Sequence, residues 1–350
     1  MLRKVTTQMS AKSSCVVILL LFLLGTRCSI NAPVEMQRYV GRTMGTSYAI
    51  KVVESAQYFD KNPQLHGKIK ELLFSINQKM STFIKDSELS RFNRSGKNEW
   101  IGVSKELALV IKAASRISEK SSGAFDITIG PLVNVWGFGP TFNKNDIPAD
   151  SQIANNMQHV GYQNVHVRLS PPSLKKDIES VMCDLSAIAK GYGVDKVAEL
   201  LDEHNAENYL VEIGGEISAK GVNQDGQKWR IGVSTPDAMT DVQEIISIDN
   251  SCIATSGDYQ NFFEKNGVRY SHTIDPRTGR PVRHKLASVT VIHSSCMLAD
   301  AWATAINVLG PENGFRLAQQ EKLSAYLVVK SQNGFVEKMT SSFENYLQKD

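Results

Sequence analysis

Between residues 209 and 292 the chain is built from short apolar runs separated by glycine turns: YLVEI (209–213), WRIGVS (229–234), VRYSHTI (268–274) and SVTVI (288–292). Runs of this length, rich in β-branched and aromatic residues and bounded by turn formers, read as strands. The spacing ahead of them is mostly helical. After a strand in which Tyr48, Ile50 and Val52 alternate with polar neighbours, Leu65, Ile69, Leu72, Leu73, Ile76 and Met80 fall on one helix face. Ser104 can cap a second helix with Leu107, Val110, Ile111, Ala114 and Ile117 as its apolar face. A third is expected from about 187 to 204, with Ile188, Val194, Val197 and Leu201 inward and Gly191 and Gly193 weakening its first turns. A helix from about 297 to 309, another after Pro311 and the strand AYLVV (325–329) close the pattern. With no internal repeat and no low-complexity linker, the expectation is an α+β fold of two interleaved lobes.

The N-terminus is different in kind. Arg3, Lys4 and Lys12 precede an unbroken apolar stretch from Cys15 to Leu24, the layout of an export signal rather than of a bilayer span. Cys28 stands where a bacterial lipoprotein carries its acylated cysteine, although Gly25, Thr26 and Arg27 depart from the usual small residues before it. The expected organisation is an export signal or lipoprotein-type anchor over 1–32 and one domain over 33–350. The domain would then face the periplasm from the inner membrane, lipid-anchored at Cys28; an uncleaved anchor would leave it in the same compartment. A formal charge of +3 and no basic stripe argue against a nucleic-acid partner. Cys183, Cys252 and Cys296 show no close spacing, which disfavours zinc and a disulfide framework and suggests small buried hydrophobes. Neither G-x-G-x-x-G nor a Walker A string is present.

Two segments carry chemistry. In SHTIDPRTGRPV (271–282), Asp-Pro-Arg-Thr-Gly is a tight turn that presents backbone amides and Arg277 beside His272. In ADAWATA (299–305), Asp300 and Thr304 share a helix face and can offer a carboxylate and a hydroxyl to one hard cation. On spacing alone the blander alternatives are a helix cap for Asp300 and a hydroxyl bonded to its own backbone for Thr304.

Taken in order, MSTFIKDSELSRFN (80–93), SGAFDITIGPLVNVWGFGP (122–140), DLSAIAKGYGVD (184–195), YLVEIGGEISAKG (209–221), IATSGDYQNFF (253–263), SHTIDPRTG (271–279) and ADAWATAINVLG (299–310) resemble the FAD:protein FMN transferase family, the ApbE-type flavin transferases. The resemblance spans nearly all of the chain after the signal. It implies a single catalytic unit with the flavin and metal site between the lobes. The implied reaction is Mg2+-dependent transfer of FMN from FAD to a threonine or serine hydroxyl of an acceptor, releasing AMP. The implied acceptors are Rnf- or Nqr-type redox subunits carrying a Ser/Thr-Gly-Ala-Thr segment.

Position by position, the resemblance implies Asp300, Thr304 and the Ala187 carbonyl as metal ligands, with Asp300 also counted as catalytic. It implies His272 as the base toward the acceptor hydroxyl, a role suited to an imidazole that titrates near neutral pH. Met44, Phe83, Ala124, Phe125 and Asp126 are implied for the flavin, and Asp184, Lys190 and Ile274 for the nucleotide and diphosphate. Phe83 stands where many members have tyrosine; it keeps a stacking face and lacks the hydroxyl, and core packing is its other reading. Trp136 is expected in the core or at its rim. Two alternatives stay open: an FAD pyrophosphatase giving FMN and AMP, and an exported flavin-binding protein without turnover. The chain's nearest match to the acceptor string is Ser-Gly-Ala-Phe at 122–125, so a separate protein must accept the flavin.

Overall fold

Residue alternation organises the molecule around one sheet. In the computed structural model the described residues are 33–140, 147–234, 242–257, 262–265, 267–332 and 334–347. The expected export signal and Cys28 lie outside them. Eight strands form an antiparallel sheet whose spatial order follows chain order: β1 (Val34–Thr43), β2 (Thr46–Ser55), β3 (Tyr209–Ile213), β4 (Glu216–Lys220), β5 (Ser251–Gly257), β6 (Leu286–His293), β7 (Ser324–Ser331) and β8 (Gly334–Met339). Three long helices, α1 (Leu65–Met80), α2 (Lys105–Lys120) and α3 (Ala189–Glu203), are inserted between β2 and β3, and α4 (Cys296–Gln320) connects β6 to β7. The α+β class expected from the sequence is the one the chain adopts.

Because strand side chains alternate between faces, the inner strands serve two cores. Tyr48, Ile50 and Val52 of β2 pack with Leu65, Ile69 and Leu73 of α1 and Val194, Val197 and Leu201 of α3. Their neighbour Val53 joins the opposite face, where Trp229, Ile231, Ile246 and Phe343 form a separate layer. On β7, Ala325 and Leu327 face the helices, whereas Tyr326 and Val328 face the other layer. Each fully buried Ile, Leu or Val of this kind contributes about 1.5–3 kcal/mol relative to exposure. The antiparallel ribbon Trp229–Ser234 with Val242–Ile248 supplies much of that second layer.

Helix boundaries follow local chemistry. The Ser104 hydroxyl accepts the Leu107 N–H at 3.3 Å and caps α2 as expected. Helix α3 starts two residues later than expected, because Ile188, with φ −151° and ψ −25°, is outside the helical region. Helix α4 breaks at Gly310 (φ 79°) ahead of Pro311, so the two helices expected there meet at a kink. The run 268–274 is not one strand, which corrects the expectation. Val268–Ser271 pairs with Phe262–Lys265, and Ile274–Asp275 pairs separately with Arg280–Pro281. The break occurs where the Ser271 hydroxyl accepts the Thr273 N–H at 3.1 Å, a local turn that competes with the ladder. His272 therefore occupies the corner between two ribbons. Cys183, Cys252 and Cys296 are free thiols and buried, and burial pushes those of Cys183 and Cys296 up.

Candidate active site

Helices α3 and α4 approach closely through a glycine. A Cβ on Gly191 would lie 2.2 Å from the Cys296 carbonyl oxygen and 2.8 Å from the Met297 Cα, so only glycine allows the contact. Four residues on, the half-buried Asp195 carboxylate accepts the backbone N–H groups of Cys296 (2.6 Å) and Met297 (3.0 Å) and the Ser295 hydroxyl (2.7 Å). It occupies the position where a helix N-terminus favours a negative charge. Ser295 is itself the N-cap of α4, accepting from the Leu298 N–H. These bonds fix the register of α4 against α3.

That register brings Asp300 to the start of α3. Asp300 is 5% exposed, and its Oδ2 accepts the Gly191 N–H at 3.1 Å. In a regular helix that N–H would bond the carbonyl of Ala187. Because it turns to Asp300 and α3 begins only at Ala189, the Ala187 carbonyl lacks its in-helix donor. Thr304 is one turn beyond Asp300 on the same face of α4, half-buried. A carboxylate, a hydroxyl and an underused backbone carbonyl thus lie at one helix crossing, an all-oxygen donor set suited to a hard cation. The cap expected as Asp300's alternative role is filled by Ser295. The back-bonded hydroxyl weighed for Thr304 has no counterpart among the described residues.

Lys190 completes this group. Its Nζ is 3.1 Å from Glu216 Oε1, 3.6 Å from Asp300 Oδ1 and 3.4 Å from the Ser186 carbonyl, to which it donates. Burial alone would lower its pKa, but the Asp300 and Glu216 carboxylates more than offset that and hold it charged. Burial raises both carboxylates. For Glu216 the Lys190 charge opposes the rise and the Asp300 charge adds to it; for Asp300, Lys190 and the Gly191 N–H oppose it.

The flavin candidates are attached through backbone pairing. The Asp184 N–H donates to the Ile127 carbonyl at 2.7 Å, so Asp184 and the Ala124–Asp126 segment run side by side. The Asp184 carboxylate accepts from both the backbone N–H and the hydroxyl of Ser186, the residue whose carbonyl meets Lys190. Ala124 and Phe125 are buried. Asp126 accepts from the Thr128 N–H (2.8 Å), the Thr128 hydroxyl (2.6 Å) and the Tyr162 N–H (2.8 Å), bonds that hold its loop. Burial raises its pKa and these donors oppose the rise. Asp126 and Gly123 face Pro276 and Arg277 across an open cleft of about 400 Å³. Met44 occupies the β1–β2 turn with φ 49°. Its Cε would be 2.9 Å from a Cβ on Gly193, so the thioether lies directly on α3.

Arg277 and Phe83 differ in setting from what their strings suggested. Arg277 is folded back onto Asp275, with Nε and Nη2 donating at 2.9 and 2.8 Å, so it is not an open cation beside His272. The Phe138 ring approaches His272 edge-on at 6.4 Å, and Ile274 packs with Trp136, whose indole N–H donates to the Gly279 carbonyl at 2.7 Å. Trp136 is therefore core. Phe83 is 70% exposed on the loop after α1, which overturns core packing for it. Nothing among the described residues stacks on its ring.

The residues that sequence reasoning missed are Glu216 and Asp195. Glu216 lies within the string 209–221, directly after Gly214–Gly215, and Asp195 ends the string 184–195, two residues after Gly193. A carboxylate beside glycines that allow close approach was the available signal.

The ApbE family model matches residues 44–327. A Vibrio cholerae protein named FAD:protein FMN transferase is 45% identical over 318 residues, which cover 91% of this chain and 94% of its own. One of the same name from Haemophilus influenzae is 42% identical over 309 residues, covering 87% and 89%. Among solved structures, flavin transferase ApbE from Vibrio cholerae superposes with a TM-score of 0.84 at 44% identity, over 90% of this chain and 100% of that one. The apo form of Pseudomonas stutzeri flavinyl transferase ApbE gives 0.82 at 37% identity, over 90% and 97%.

Proposed function

The chain belongs to the ApbE family, and on that premise we propose that it transfers FMN from FAD to a threonine or serine hydroxyl of an acceptor protein, with Mg2+, releasing AMP. The observation that carries this reading is the crossing of α3 and α4, where the Asp300 carboxylate, one helix turn from Thr304, meets the Gly191 N–H and the Lys190 ammonium, while the Ala187 carbonyl lacks its in-helix donor. Those three oxygen donors would hold Mg2+, and the buried carboxylate is compensated by a single shared lysine, which leaves room for more positive charge. Bound there, Mg2+ supplies charge neutralisation for the diphosphate.

The chain's own groups then have distinct tasks. Lys190, kept protonated by its two carboxylates, meets the FAD diphosphate as a compact cation. The segment 124–126, Met44 and the exposed face of Phe83 receive the isoalloxazine ring. His272 takes the proton from the acceptor hydroxyl as its oxygen bonds to the FMN phosphorus and the bond from that phosphorus to the AMP oxygen breaks. The acceptor is a redox subunit of Rnf or Nqr type with a Ser/Thr-Gly-Ala-Thr segment. The enzyme works at the periplasmic face of the inner membrane, held by lipid on Cys28.

The test is intact mass spectrometry of such an acceptor after incubation with the signal-free protein, FAD and Mg2+, with chelator and Asp300→Ala controls. A metal-dependent gain of one FMN group supports the transferase. Free FMN and AMP without that gain would identify a pyrophosphatase, and tight FAD binding without either product a flavin-binding protein.

A separate outcome is expected for His272→Ala. At saturating acceptor the rate of transfer falls by about 100- to 10,000-fold, the usual contribution of a positioned base. FAD affinity, followed by flavin fluorescence, stays within a factor of two or three of the parent, on the order of 0.5 kcal/mol. Normal turnover would remove the base role from this residue.

A further inference from the structure

One ammonium serves two buried carboxylates, and it does so unequally. Lys190 Nζ is 3.1 Å from Glu216 Oε1 and 3.6 Å from Asp300 Oδ1. Glu216 is the first residue of β4 and follows Gly214 (φ 62°) and Gly215 (φ 102°). A Cβ on Gly214 would lie 2.7 Å from Thr46 Cγ2 and 3.3 Å from Lys190 Cδ, so this turn lies directly against the lysine stem.

Glu216 is 3% exposed, and its Oε2 is buried with no hydrogen-bond partner among the described residues. A desolvated carboxylate with an unused oxygen is a net cost to the fold, and an apolar residue of similar volume would pack there more favourably. Its one ion pair among the described residues is with Lys190.

We propose that Glu216 is a positioning residue that draws the Lys190 ammonium off Asp300, leaving the Asp300 carboxylate open to a divalent cation and the ammonium open to a diphosphate. The inference rests on the Asp300 cation site proposed above. Without Glu216, the flexible lysine closes onto Asp300 as a contact ion pair, typically about 2.8 Å, and a cation entering the site must displace it.

The probe is Mn2+, followed by loss of its free aqueous electron paramagnetic resonance signal on titration with the full-length chain, in four proteins: parent, Glu216→Gln, Lys190→Met and the double variant. The expected result is an approximately 10- to 100-fold weaker Mn2+ affinity in Glu216→Gln, the range for a residue that orients a metal ligand. In the Lys190→Met background the same substitution changes affinity by less than about threefold, because the group through which Glu216 acts is gone. Glu216→Asp, one methylene shorter with its charge kept, recovers part of the loss and is the variant to rely on if the glutamine form does not fold.

Equal losses in both backgrounds would show that Glu216 acts through its own charge, and no loss in either would show that it does not act on the cation; both overturn the inference and leave the cation site standing. Parent-like Mn2+ binding by Asp300→Ala would overturn the cation site itself, and the inference with it.

Discussion

Asp300→Ala lowers kcat/KM for FMN transfer by at least about 1,000-fold, roughly 4 kcal/mol of transition-state stabilisation, while the thermal midpoint stays within about 3 °C of the parent. The two halves of this result have separate causes. In the proposed mechanism, function depends on the Asp300 carboxylate beside the Lys190 ammonium. Stability depends on it little, because Asp300 is desolvated and close to a second buried carboxylate, so burial raises its pKa. Its removal relieves that cost, leaves Lys190 paired with Glu216, and frees the Gly191 N–H to bond the Ala187 carbonyl as in a regular helix. Loss of activity at retained midpoint is the pattern of a group kept for chemistry. Transfer within tenfold of the parent would remove Asp300 from the mechanism, and a large drop in midpoint would make it a structural residue.

Gly191→Ala has the opposite signature, losing stability and activity together. Alanine is the better helix former by nearly 1 kcal/mol, so propensity alone predicts a more stable protein. Packing decides otherwise. The added methyl meets three backbone atoms of Cys296 and Met297 at 2.2, 2.6 and 2.8 Å, and none of them can turn aside as a side chain could. The helices must separate, at a cost of about 3 kcal/mol for overpacking of this kind, or roughly 4–5 °C in midpoint for a domain of about 320 residues. Separation also strains the Asp195 bonds to the start of α4 and the Asp300 bond to the Gly191 N–H, so transfer falls with the midpoint. Thermal unfolding and the mass-based transfer assay measured on one preparation check both. A midpoint equal to or above the parent's would mean that α3 and α4 can slide apart at little cost.

How much of this was legible depended on whether a residue's partners lie nearby in the chain. The apolar spacing of 65–80 and 107–117 and the cap at Ser104 are local signals, and they mark α1 and α2 at their true positions. Strands β3 and β6 were equally plain, since one or both faces are buried and their residues say so. Strand β1 was not, because as an edge strand its outer face is exposed: Val34, Met36, Arg38, Val40 and Arg42 follow no apolar alternation. The break at His272 escaped because the residues flanking it are β formers, and it is set by one Ser271 hydroxyl bond.

The candidate site shows the same division. Asp300 and Thr304 are readable as a pair because a helix turn puts them together. Their meeting with Ala187 and Lys190 needs the Gly191 crossing, which no periodicity encodes. The partner of Glu216 was unreadable for a further reason: Lys190 is on α3, and only the sheet register of β3 with β4 carries the carboxylate to it.

Asp195 belongs to α3 yet completes the first turn of α4, and Asp300 belongs to α4 yet holds an amide of α3. The two helices are thereby cross-braced, each supplying a carboxylate to backbone amides at the start of the other. Such a joint has no independent half. Fraying at either end must break several shielded bonds at once, so the oxygen donors on both helices are released in one concerted opening, and a ligand that stiffens one helix stiffens its neighbour as well.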